Sequence, residues 1–205
     1  MVDKVYLQEM EATVVFFDVR GFSTLSAQLG PMDVGVMLSR YYQQVEEAVL
    51  SGKGRMVKFF SDAAMACFPG TAGVDHAGAA LEVVRRLQQG LPAWLDENAR
   101  AGWPLMEYAA GVATGTVLAG ELGTARLRSY DVIGAAPALA AYLSRLANRR
   151  KVAGLVAAET VSAAKRKPPC IEVEGAEVGG RKVRIYRLLS PEEQAQPDAP
   201  LASST

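Results

Sequence analysis

ATVVFFDVRGFSTLS, residues 12–26, and RMVKFFSDAAMACF, residues 55–68, decide how this chain is read. Residues 12–18 are a short apolar run, rich in β-branched and aromatic side chains, that ends on an acid; the pattern predicts a buried strand with Asp18 at its carboxyl end. Arg55–Phe60 and Ala63–Phe68 are two further apolar runs on either side of Ser61 and Asp62. They predict a hairpin with Asp62 exposed at its tip.

Between these runs, Val34, Met37, Leu38, Tyr41, Tyr42, Val45 and Val49 recur at helical spacing, which predicts a helix from Met32 to Leu50 packed on the sheet. Asp75 is suited to cap a second helix ending near Gln89, with Ala80, Val83, Val84 and Leu87 on one face. Leu105–Val112, Val117–Glu121 and Arg128–Ile133 read as three strands parted by glycine turns at Gly115, Gly120 and Gly123. Gly134 then opens an Ala-rich helix carrying Leu139, Leu143 and Leu146. Leu155–Ala158, Ile171–Val173 and Val183–Leu188 complete the sheet, and Gly90–Pro104 is a connection without a clear pattern.

Strand, helix, strand, strand, helix, strand is the order of a ferredoxin-like split βαβ core, an α+β fold, here with a C-terminal extension. Residues 1–11 are expected to be a lead-in, 12–189 the domain, and 190–205, polar and rich in Pro, a disordered tail. The fold alone settles no chemistry.

Composition narrows the field. Twenty-two Lys and Arg balance 22 Asp and Glu in a chain of 205 residues, so no global field draws it to nucleic acid or to anionic lipid. No apolar run approaches the ~18 to 20 residues of a bilayer span, and a cytoplasmic location is expected. Cys67 and Cys170 have neither disulfide-framework nor metal-ligand spacing.

Two carboxylates ending strands of one sheet can converge on Mg²⁺ or Mn²⁺, hard cations that take oxygen ligands. Taken alone, two Asp at strand ends, here Asp18 and Asp62, are more often turn or capping residues. Their surroundings say more. FFDVRGF and KFFSDAAMACF, followed by AAGVATGTVLAGELG (109–123) and SYDVIG (129–134), resemble in order the segments of class III adenylate and guanylate cyclase catalytic domains.

That resemblance implies a head-to-tail dimer, as a homodimer or with another cyclase domain, and two nucleotide sites at the interface. Asp18 and Asp62, with the backbone carbonyl of Val19, match the metal ligands. Lys58 and Asp131 match the base-reading pair; a Lys donor and an Asp acceptor suit adenine over guanine, which makes ATP the expected ligand. Arg126 or Arg128 matches a phosphate-binding Arg. In the family the ribose 3′-hydroxyl attacks the α-phosphate and pyrophosphate leaves.

The pattern breaks in SYDVIGAAPALAAYLSRLA (129–147). Ala138 stands where the family has the Asn that orients the ribose, and Tyr142 where it has the Arg that stabilises the α-phosphate. Alanine offers no hydrogen bond, and a neutral phenol does not replace a bidentate cation. Arg145, Asn148 and Arg149 lie downstream as possible substitutes. Ser61 replaces a Gly, and VGGRK (178–182) loosely matches a phosphate-contacting Lys-Gly, with Arg181 or Lys182 in its place. His76, the sole histidine, is expected to serve a helix terminus.

The resulting expectation is a domain that binds ATP and divalent metal in intracellular signalling but makes little cyclic nucleotide as a homodimer. The alternative is an active adenylate cyclase, through unusual residues or as the metal-donating half of a heterodimer.

Overall fold

The run at residues 12–18 forms the middle of a longer strand, β1 (Tyr6–Val19). Val14 packs into one core and Val15 into another on the opposite face, each fully buried. A strand covered on both faces is apolar throughout, and this is why the run shows no alternation. The computed structural model describes residues 6–90, 100, 107–167, 169–189 and 193.

After β1 come α1 (Phe22–Gln28) and α2 (Pro31–Ser51), then the hairpin β2 (Arg55–Phe60) and β3 (Ala63–Pro69), and α3 (His76–Gln88). Next are β4 (Tyr108–Gly123), β5 (Arg128–Ile133) and α4 (Ala135–Arg149). The extension is β6 (Gly154–Ala157), the short α5 (Ala158–Ala163), β7 (Cys170–Val178) and β8 (Arg181–Leu188). Among the described residues the sheet runs β2-β3-β1-β4-β6-β8-β7, and β5 pairs with the outer part of β4. The first four of these strands have the ferredoxin-like order: β3 lies between β1 and β2 and is antiparallel to both.

α2 and α3 cover one face, where Phe17, Tyr41, Val45, Phe68, Leu81 and Val84 meet. α4 covers the other, over Val14, Met65, Val117, Leu143, Leu155 and Ile185. The capping role of Asp75 holds, since its carboxylate accepts from the Gly78 N–H at 2.9 Å.

Four expectations are corrected. β1 begins at Tyr6, so residues 6–11 of the supposed lead-in belong to the sheet, paired with Thr116–Glu121. Residues 108–123 form one strand rather than two. Gly115 makes no turn because β1 holds it in register opposite Ala12, and Gly120 is likewise paired, opposite Leu7 and Asp131. Gly123 is paired too, opposite Arg128, and borders the turn at residues 124–127; with φ near +138° it has no room for a side chain, since an added Cβ would stand 2.0 Å from the Leu127 carbonyl. Helices α1 and α5 were not anticipated; each is under two turns, too short for a periodic signal. Finally, Asp62 is half-buried rather than exposed, for a reason that belongs to the site. Most of the 90–104 connection, and the tail from 190 apart from Glu193, lie outside the described residues.

None of the described helices is long and apolar enough to cross a membrane. Both cysteines are free, and burial pushes the Cys67 thiol up to about 11.

Candidate nucleotide and metal site

β1 delivers Asp18 at its carboxyl end, between Ala63 on β3 and Ala109 on β4. Directly opposed residues of antiparallel strands share a face, so the carboxylate has only methyl groups as lateral neighbours. Asp62 is drawn to the same place by the backbone. The Val19 N–H donates to the Asp62 carbonyl at 2.8 Å, which folds the β2–β3 turn over the end of β1 and half-buries Asp62. Ser61, in the left-handed region at φ 50°, makes the turn, and the Tyr42 hydroxyl donates to its carbonyl at 2.8 Å. That is a conformation which a glycine takes without strain.

Burial raises the pKa of Asp18 above the usual carboxylate value, and the nearby charge of Asp62 raises it further. Opposing them are a hydrogen bond from the Asn148 amide to Oδ2, at 3.0 Å, and the charges of Arg145 and Arg20. Arg20 is itself engaged, donating to Glu107 at 2.8 Å and to the Val152 carbonyl at 3.1 Å.

The donor set suits a hard divalent cation. Two neighbouring carboxylates repel in its absence, and the carbonyl of Val19 lies in the same chain segment. No cluster of three His, Cys, Asp or Glu exists among the described residues, so further ligands would be water, backbone or phosphate oxygens.

The raised pKa has a stability consequence. Between the ordinary value of 3.8 and the raised folded value, the native state keeps a proton that the unfolded chain has lost. Stability therefore falls as pH rises through that window. Asp18→Asn removes the penalty while keeping an acceptor for Asn148. It is expected to raise the metal-free Tm at pH 7, by a margin that closes as pH is lowered through the window; an unchanged or lower Tm would contradict the assigned environment.

The base-reading candidates come together. Lys58 Nζ on β2 meets Asp131 Oδ2 on β5 at 2.5 Å, and Asp131 also accepts from the Val132 N–H at 2.9 Å. Arg126 and Arg128 are exposed on the β4–β5 hairpin, and Arg181 and Lys182 on the β7–β8 hairpin. His76 opens α3 with its ring bonded to Thr13 at 2.9 Å, in a part-buried chain that continues through Thr114 to Thr160.

Ala138 is exposed on the first half of α4, and Tyr142 is half-buried against the α4-side core. With ~1.5 Å of rise per residue, Ala138 lies about 15 Å along the helix axis from Asn148, the residue that touches Asp18. Ala138 and Asp18 of one chain are thus at opposite ends of α4.

Residues 5–190 match the sequence pattern of the adenylate and guanylate cyclase catalytic domain. The chain belongs to that family. The cyclase domain is similar in structure to the adenylyl cyclase CyaB from P. aeruginosa, with a TM-score of 0.80 and 27% identity over 91% of this chain and 97% of that one. A bacterial light-regulated adenylyl cyclase, at 23% identity and TM-score 0.79 over 90% of this chain and 54% of that one, shares the fold. By sequence, it is 28% identical over 125 residues to adenylate cyclase 1 of Rhizobium meliloti (strain 1021), covering 60% of this chain and 19% of that protein. It is 30% identical over 139 residues to an adenylate cyclase of Anabaena cylindrica, covering 65% and 27%. The chain thus spans about a fifth to a quarter of the length of these two relatives.

Asn148 and Arg20 are the site residues to which no sequence pattern assigns a role of this kind. Asn148 was visible only as a downstream substitute for the missing Asn, and its contact with Asp18 depends on where α4 ends.

Proposed function

We propose that this cyclase domain binds ATP with a divalent cation, Mg²⁺ or Mn²⁺, at a site shared between two cyclase domains, and turns it over slowly as a homodimer. The observation that carries this reading is the convergence of Asp18 and Asp62 at the end of β1. Two half-buried acids with like charges gain most from a cation between them. A cation held there would offset charge on the triphosphate and on the attacking 3′-hydroxyl. The Lys58 ammonium would donate to a ring nitrogen of adenine, and the Asp131 carboxylate would accept from its 6-amino group. Arg126 or Arg128 would hold phosphate oxygens.

The separation of Ala138 from Asp18 along α4 supports a shared site, because groups at the Ala138 and Tyr142 positions would face the Asp18 of a second domain. Alanine supplies no donor for the ribose, and a neutral tyrosine supplies no cation for the transferring phosphoryl group. A second reading, the metal-donating half of a heterodimer that makes cyclic AMP, is favoured by the same residues: Asp18, Asp62, Lys58 and Asp131 are all present. It requires activity on mixing with a domain that carries the Asn and Arg, lost on Asp18→Ala.

Ligand-linked stability tests binding apart from turnover. A ligand held only by the native state at 100 times its Kd stabilises by about 2.7 kcal/mol, or ~5 to 10 °C of Tm for a chain of this size. Mn²⁺ with ATP is expected to give a shift of that order in the wild type and none in Asp18→Ala/Asp62→Ala. Equal shifts in both proteins would refute the site.

A further inference from the structure

We propose that Asn148 is a positioning residue for the Asp18 carboxylate, supplied by the same chain, so that the metal-facing half of the site is organised within one domain. The proposal rests on the metal–nucleotide reading above.

The contact is built in, because the end of α4 is fastened to the end of β1. Asn148 donates to Asp18 Oδ2 at 3.0 Å. Two residues past Asp18, the Arg20 guanidinium donates to the Val152 carbonyl, just beyond α4, at 3.1 Å. The Val152 N–H in turn closes back on the Ala147 carbonyl at 3.0 Å. On the strand side, the Arg20 N–H donates to the Glu107 carbonyl at 2.8 Å and the Val19 N–H to that of Asp62. These bonds fix the helix end, the strand end and the β2–β3 turn relative to one another.

The chemistry of the donor matters as much as its position. A Lys or Arg at 148 would pair with the carboxylate and compete with a cation for it. A neutral amide fixes one oxygen, leaves the charge in place and leaves Oδ1 free of that bond. The cationic neighbour on the same helix, Arg145, acts on Asp18 through its charge. It is exposed. Asn148 and Arg145 therefore serve the Asp18 of their own chain, and do not stand in for the missing pair at 138 and 142, which would face another domain.

Binding of Mn²⁺ alone, followed by loss of the free-ion electron paramagnetic resonance signal, tests this without turnover. The wild type is expected to bind Mn²⁺ in a manner abolished by Asp18→Ala. Removing an outer hydrogen-bond partner of a metal ligand typically weakens binding ~10- to 100-fold, so Asn148→Ala should bind about 10-fold or more weakly. Asn148→Gln keeps a neutral amide donor and should recover part of the affinity that alanine loses, whereas a merely structural asparagine would leave Mn²⁺ affinity the same in both variants. If Asn148→Ala and Asn148→Gln both match a wild type whose binding needs Asp18, the positioning role is wrong and the metal site stands. If binding is undetectable in the wild type, or Asp18→Ala leaves it intact, the metal site itself fails and the proposal with it.

Discussion

Ala138→Asn/Tyr142→Arg is expected to form cyclic AMP from ATP and Mn²⁺ at least ~10²-fold faster than the wild type at equal, high protein concentration. One preorganised donor aimed at charge developing in a transition state is worth ~10² to 10³ in rate, and two residues acting on one transition state are not additive. The structure accepts both changes. Ala138 is exposed on α4, so an asparagine meets no core atoms. Tyr142 is half-buried against the α4-side core, and the methylene stem of an arginine can cover the same surface while its guanidinium reaches solvent. The cost in stability is about 1 kcal/mol, the ordinary size for a substitution away from the packed centre. Adding Asp18→Ala/Asp62→Ala to the restored variant should abolish the gain, which ties it to the carboxylate pair. A wild type as fast as the restored variant would mean that the missing Asn and Arg are not what limits turnover. A restored variant that stays silent while binding ATP and Mn²⁺ would place the defect elsewhere in the site.

Gly111→Val should be the most damaging single substitution for folding, lowering Tm by on the order of 10 °C or preventing accumulation of native protein. At Gly111 the backbone of α4 lies directly on β4. An added Cβ would be 2.0 Å from the Ala140 carbonyl oxygen and 2.3 Å from the Ser144 nitrogen. These are backbone atoms of a regular helix, so relief requires α4 as a whole to move away from the sheet. Overpacking in a core typically costs 1 to 3 kcal/mol and sometimes more, and in a chain of this size each kcal/mol is worth ~2 to 4 °C. Gly111→Ala, smaller in volume, should fall between the two. The displacement would also carry Asn148 away from Asp18, so Mn²⁺ affinity should drop even where the variant still folds at low temperature. Near-native Tm for Gly111→Val would show that α4 packs less closely on β4 than described.

The sequence by itself determined the elements whose burial imposes a period. The buried run at 12–18, the stripe from Val34 to Val49, the helix capped by Asp75 and the β2–β3 hairpin are all where their patterns put them. It also determined which residues carry a cyclase-like character, because Asp18, Lys58, Asp62 and Asp131 sit in contiguous strings whose order is itself the signal. A glycine in a string gave much less. Gly115, Gly120 and Gly123 look alike in sequence, yet only Gly123 borders a turn; the other two lie within β4, paired with strands that no local pattern reveals.

Tertiary structure alone decided the contacts made across long chain separations. Asp62 is half-buried because the N–H of Val19 takes its carbonyl. Lys58 meets Asp131 because β2 and β5, far apart in the chain and not paired with each other, are brought into contact by the fold. Asn148 touches Asp18 because α4, lying tight on Gly111, runs on until its last turn stands over the end of β1. A local pattern records which face of an element is buried. Where that element stops relative to another is set by close packing between strangers in sequence, and in this domain that packing places the groups around Asp18.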